Sequence, residues 1–140
     1  MPIKVLLVDD HSVVRQGLRM FLNLEEGLEV VGEAENGAEA LERIGELQPD
    51  VVLMDLMMPV MDGIEAIEKA KSQYPDVELV ALTSVLEDRS VVKAVKAGAI
   101  GYLLKDTEAE ELCKSIKAAA AGKVQLSPEA STRLMKALQS

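Results

Sequence analysis

The sequence predicts a doubly wound α/β domain built on a parallel sheet, and three observations lead there. Short, continuous apolar runs recur at Val5–Val8, Val51–Met54, Leu79–Leu82 and Tyr102–Leu104, and Leu28–Val31, interrupted by Glu29, adds a less clean fifth. Runs this short and unbroken suit strands buried on both faces. Stretches of helical periodicity separate them, so strand and helix alternate and right-handed crossovers place helices on both faces of the sheet. Polar residues then follow the runs at Asp9-Asp10, Asp55, Thr83-Ser84 and Lys105. In open α/β sheets that rim, beyond the carboxyl ends of the strands, is where ligands bind.

The helices are marked by residues three or four apart, all apolar but Lys71: Val14, Leu18 and Leu22; Ala40, Leu41, Ile44 and Leu47; Ile64, Ile67 and Lys71; Val91, Val92 and Val95; Leu112, Ile116 and Ala120. Start signals precede three of them. Asn36 with Glu39, Asp62 with Glu65, and Thr107 with Glu110 have capping-box spacing, in which a side-chain oxygen satisfies a free N–H of the first turn. Gly98 and Gly122 mark helix ends, where a left-handed residue is favoured. Ser127-Pro128-Glu129 starts one more helix, with Leu134 and Leu138 on its apolar edge. The domain is therefore expected over residues 1–122, with 123–140 as a linker helix that has no partner strand. Periodicity alone leaves the strand order open.

The chain has 140 residues, about half of them apolar, which fits one domain with a substantial core. It has no apolar run of membrane-spanning length and no visible signal peptide, which points to the cytoplasm. Its net charge of −9 disfavours nucleic acid, whose binding means neutralising phosphates with Lys and Arg. With two Tyr, one Phe and no Trp, stacking platforms for single strands are few. Cys113 is the single cysteine, so no internal disulfide can form, and it reads as a small buried hydrophobe. His11 is the single histidine, so a histidine-based metal cluster is ruled out, and it reads as a surface residue at the start of the first helix.

Asp after a strand is ordinary as a turn former. The whole set at successive strand ends is harder to dismiss. Three carboxylates in one cleft repel one another and call for a cation, and an all-oxygen site with retained waters suits Mg²⁺. An Asp carboxylate can serve as a nucleophile for a phosphoryl group. Lys105 and Thr83 would supply charge and a donor to its oxygens. Asp62 is a tempting further ligand but reads better as a helix cap. Pro59 shapes the loop before it. Met54, Met57, Met58 and Met61 read as packing and loop residues, because thioethers prefer softer metals.

Taken together, Val8-Asp9-Asp10, Met54-Asp55-Leu56-Met57-Met58-Pro59 with Asp62-Gly63, Leu82-Thr83-Ser84 and Gly101-Tyr102-Leu103-Leu104-Lys105 resemble the receiver domains of bacterial response regulators. The resemblance runs from about Ile3 to Gly122. It implies a five-stranded, flavodoxin- or CheY-like sheet of order 2-1-3-4-5 with five flanking helices, followed by a short linker helix. It implies that Asp55 accepts a phosphoryl group from a sensor histidine kinase. Asp10, Asp55 and the Met57 backbone carbonyl would ligate Mg²⁺, and Asp9 would act through a bound water. Lys105 and Thr83 would contact phosphoryl oxygens, with Ser84 beside them, and Tyr102 would turn inward as part of the switch. Met57 and Val85 would tune the phosphoryl lifetime, and both being apolar implies a long one.

Asp106 stands where many receivers have Pro, and a cis bond after Lys105 without Pro would cost roughly 3 kcal/mol. The Asp10-His11 and Lys105-Asp106 pairs, with the run from Gly122 to Pro128, resemble the NarL/FixJ subfamily. Its members usually carry a LuxR-type helix-turn-helix after the linker. The resemblance thus implies a regulator that binds DNA only through an effector domain absent from this chain, and that dimerises on phosphorylation through either helices 1 and 5 or the helix 4 to helix 5 face. The alternative is a stand-alone receiver that signals through a protein partner.

An enzyme with an outside substrate fits less well. Haloacid dehalogenase-like phosphatases need a second Asp two positions after the nucleophile, and position 57 is Met. Only self-phosphorylation and slow autodephosphorylation are expected. A nucleotide or flavin module would need a glycine-rich turn where Asp9-Asp10 stands.

Overall fold

The structure, a computed structural model, describes residues 2–84 and 86–139. Strands β1 (Ile3–Val8), β2 (Leu28–Ala34), β3 (Val51–Asp55), β4 (Glu78–Thr83), β5 (Gly101–Leu104) and β6 (Gln125–Leu126) alternate with helices α1 (Ser12–Leu24), α2 (Gly37–Leu47), α3 (Gly63–Gln73), α4 (Asp88–Ala97), α5 (Ala109–Ala120) and α6 (Pro128–Gln139). All pairings are parallel, in the order β2-β1-β3-β4-β5-β6. The implied order 2-1-3-4-5 is therefore present, with one strand added at its edge.

The sheet splits the core into two layers, as its period of two requires. Leu6, Val8, Val52 and Met54 face one layer with Ala40 and Ile44 of α2, Ala66, Ile67 and Ala70 of α3, and Val91 and Ala94 of α4. Val5, Leu7, Val51 and Leu53 face the other, with Leu22 of α1 and Leu112, Cys113 and Ile116 of α5. Cys113 is a buried hydrophobe, as expected.

Asn36 and Asp62 cap their helices through the N–H groups of Glu39 and Glu65, each at 2.9 Å. Ser127 Oγ accepts from Ala130 N at 3.0 Å, and Pro128 opens α6. The third expected box is not formed: Glu108 occupies the cap position of α5, which has no side-chain cap bond. Thr107 stands one residue before that cap, where its N–H closes a turn on Leu104 C=O at 3.0 Å. Gly98 and Gly122 are left-handed as expected, at φ 117° and 81°.

The last segment departs from the expectation of a strandless linker. Gln125 and Leu126 pair with Gly101 and Tyr102 of β5. Helix α6 then lies against α4, with Ala130 fully buried and Leu134 packed on the same core. Arg133 forms an ion pair with Asp88 in the first turn of α4. Leu138, the other residue of the expected apolar edge, is exposed. Two residues are too few to raise a strand signal, and a helix that buries one Ala and half-buries one Leu resembles a solvated one in sequence.

Because Ala130 is only 1% exposed, placing a charge there should undock α6. Ala130→Asp is expected to lower the stability of the chain by roughly 3 kcal/mol in urea unfolding. An unchanged midpoint would show that α6 contributes nothing to the folded unit.

Candidate functional site

Strand register builds the site. Val8 pairs with Met54, which sets Asp9 level with Asp55. Asp55 pairs with Leu82, and Thr83 with Leu104, so Thr83 and Lys105 follow at the same rim. One ligand atom each from Asp9, Asp10, His11 and Asp55 lies within 4.8 Å of the others. Asp9 and Asp55 are buried, whereas Asp10 and His11 are exposed.

Lys105 is the cation at the centre. Its Nζ lies 2.8 Å from Asp9 Oδ2 and 3.5 Å from Asp55 Oδ2. Burial pulls its pKa down, but the two carboxylates win and hold it above the ordinary value. Asp9 is likewise desolvated, yet Lys105 and the hydrogen bonds from His11 keep its pKa below the usual range. Asp55 goes the other way: burial first, then the Asp9 charge, lift it from 3.8 to about 6. Both Oδ2 atoms are sealed from solvent, and neither accepts a well-aligned hydrogen bond. One ammonium between two carboxylates thus leaves acceptor capacity unfilled at the centre of the cluster.

The loop after β3 completes the wall. Met57 N–H donates to Asp55 Oδ1 at 3.2 Å, which folds this backbone over the carboxylate. The Met57 side chain is 73% exposed, whereas Met54 is in the core and Met58 and Met61 pack against it. Met61 N–H donates to Pro59 C=O at 2.8 Å across Val60, whose φ is 70°. This is a γ-turn, strained for a β-branched residue. Gly63 closes the loop: its N–H donates to Leu56 C=O at 3.1 Å. A Cβ there would run into the Asp55 carbonyl. Asp62 is the cap of α3, as expected.

Thr83 is buried at the end of β4, and its carbonyl accepts from Lys105 N–H at 2.7 Å. Ser84 is exposed just beyond, and Val85 lies outside the described residues. Tyr102 is fully buried. Burial pushes its phenol pKa up, against hydrogen bonds to the Glu87 backbone and the Ser90 side chain at the start of α4. All peptide bonds among the described residues are trans, so the turn at Lys105-Asp106 forms without a cis bond.

Two residues of the site were not singled out as such by sequence. His11 is exposed at the cap position of α1, as expected, but its Nδ1 also sits 3.1 Å from both Asp9 Oδ1 and Asp10 Oδ1. Arg15, buried on α1, reaches the Asp9 carbonyl and Glu33. Adjacency to the acidic pair could have signalled His11; nothing in the local sequence signals Arg15.

The model of the response regulator receiver domain matches residues 5–117. A transcriptional regulatory protein of Bacillus subtilis called YhcZ is 51% identical over 112 residues, covering 80% of this chain and 52% of that one. The transcriptional regulatory protein LiaR of the same organism is 42% identical, covering 98% of this chain and 65% of that one. The chain thus spans about half to two thirds of the length of these curated relatives. A two-component response regulator of the LuxR family from Aurantimonas superposes with a TM-score of 0.91 at 32% identity, covering 100% of both chains.

The raised pKa of Asp55 carries a sign. An acid with a raised folded pKa costs stability once ionised, so that cost is absent below about pH 4 and complete above about pH 6. Without divalent cation, Asp55→Asn is expected to be more stable than wild type at pH 7, by up to about 3 kcal/mol. The difference should vanish near pH 4 in thermal melts. At the γ-turn, Val60→Gly is expected to raise stability by about 1 kcal/mol in urea unfolding, because glycine accepts that φ without strain.

Proposed function

The chain belongs to the response regulator receiver family, and from that premise we propose that Asp55 is the phosphoacceptor of a Mg²⁺-dependent switch. The observation that carries this is the buried Asp55 carboxylate held level with Asp9 and beside Lys105, with an oxygen that no hydrogen bond satisfies. Receiver domains bind Mg²⁺ at an acidic pocket, and the unfilled acceptors and hard oxygen donors fit that ion. Asp10, Asp55 and the Met57 carbonyl would hold it, with Asp9 acting through a water. When bound, it would neutralise the clustered carboxylates and charge on the phosphoryl oxygens.

The chain's own groups then do the rest. A carboxylate oxygen of Asp55 attacks the phosphorus of a phosphohistidine on a sensor kinase. A new P–O bond forms as the P–N bond breaks, and the electron pair leaves with the imidazole, which takes up a proton. Lys105 exchanges its carboxylate partner for a phosphoryl oxygen. The Thr83 hydroxyl donates to another, with Ser84 next to it. Tyr102, already inward and bonded at the start of α4, would follow Thr83 and pass the change to that helix.

The protein has no outside substrate: it takes up a phosphoryl group and loses it slowly by hydrolysis. Met57 and Val85 are apolar and offer no group to activate an attacking water. The relatives named above as transcriptional regulators support an output at DNA through an effector domain beyond this chain. Residues 123–140 would connect to it. Phosphorylation would promote a homodimer, through either α1 and α5 or the α4 to α5 face, in the cytoplasm. Among the described residues no helix is long and apolar enough to cross a membrane.

Incubation with Mg²⁺ and acetyl phosphate, followed by intact mass, tests the chemistry. One phosphoryl group should be gained by wild type and none by Asp55→Asn or in EDTA. At low Mg²⁺ the rate should rise with pH through about 6, as Asp55 ionises. A folded wild type that gains no mass would remove this function.

A further inference from the structure

We propose that Arg15 is a positioning residue, which fixes the Asp9-Asp10 corner so that both carboxylates face one cation and thereby sets the Mg²⁺ affinity of the site. The inference rests on the reading of these residues as a Mg²⁺ site given above.

The need for it arises where β1 ends. The last ladder pair is Val8 with Ala34, and Asp9 N–H still donates to Ala34 C=O at 3.0 Å. The Asp9 carbonyl lies past that pair, on a residue only 2% exposed, where an unpaired acceptor is costly. Arg15 returns from α1 to supply the donor, through Nη1 at 2.5 Å. Its Nε lies 3.1 Å from Glu33 Oε1, and its Nη2 lies 3.6 Å from Glu35. Glu33 is itself held by Arg19 at 2.6 Å. The fork is therefore anchored on β2 while it grips β1. One planar guanidinium serves these partners at once, which an ammonium on a flexible stem cannot.

The consequence is geometric. With both backbone groups of Asp9 tied, and Oδ1 taking the His11 N–H at 2.8 Å, the turn that aims Asp10 has little freedom. Glu33 and Glu35 together balance the charges of Arg15 and Arg19, so the field of Arg15 at the site is small. Mg²⁺ demands near-ideal octahedral geometry, so drift of the corner weakens binding. Groups that orient metal ligands typically alter affinity by roughly 10- to 100-fold.

The test is calorimetric titration of Mg²⁺ into the whole chain, with unfolding midpoints measured in EDTA alongside. Arg15→Lys is expected to bind Mg²⁺ roughly tenfold more weakly. The charge-preserving control Arg43→Lys, on α2, is expected to bind as wild type does. Saturating Mg²⁺ should restore the phosphorylation rate of Arg15→Lys with acetyl phosphate, which a merely structural defect would not allow. An unchanged Mg²⁺ Kd in Arg15→Lys, whatever its stability, overturns the proposal. If that variant does not fold, Glu33→Gln, which loosens the anchor and leaves the Asp9 contact, takes its place: weaker Mg²⁺ binding supports the role and unchanged binding overturns it. A wild type that takes up no Mg²⁺ overturns the site reading itself, and this proposal with it.

Discussion

Parallel register forces carboxylates together at one rim, and much else in the molecule answers to that crowding. Asp9 and Asp55 are level because Val8 and Met54 are paired, and both are sealed from water. Burial first, and the like charge of Asp9 second, favour a proton on Asp55 and raise its pKa. Lys105 relieves it incompletely from the neighbouring strand end. The surrounding devices keep the crowded groups where they are. Met57 N–H lies on Asp55, His11 bridges the acidic pair, and Gly63 lets α3 start hard against the strand end. The crowding is thus met by hydrogen bonds and by one ammonium, all from within the fold.

The legibility of the sequence followed the range of the interactions. Strand cores, helix periodicity and the caps at Asn36, Asp62 and Ser127 are set within a few residues, and they were readable. The polar rim was readable because strand ends coincide with the ends of apolar runs. Most of what escaped depends on distant partners. Strand β6 exists only because β5 offers it an edge. Arg15 looks like any polar helix residue until β2 brings Glu33 beneath it. Val60 gives no warning of its left-handed backbone, because the residue type argues against one.

The two halves of the rim differ in what they connect to. The acidic half, on β1 and β3, is tied down by α1, β2 and the start of α3. The other half, Thr83 and Lys105, stands on β4 and β5, beside the start of α4. Tyr102 hydrogen-bonds there, and Arg133 of α6 pairs with Asp88 one residue after Glu87. A corner tied down within its own layer thus faces a corner that shares contacts with two helices.

The short β6 also bears on how the chain keeps to itself. Without it, β5 would end the sheet with a bare row of backbone donors and acceptors along Gly101–Leu104, a template on which another chain could lay a strand. Gln125 and Leu126 cover that row and present only two residues of new edge. Pro128, which has no N–H to offer, follows closely. Pieces of this protein cut just after Gly122 would therefore keep the whole acidic rim yet expose a sticky margin, and they should be harder to hold in concentrated solution than the longer chain.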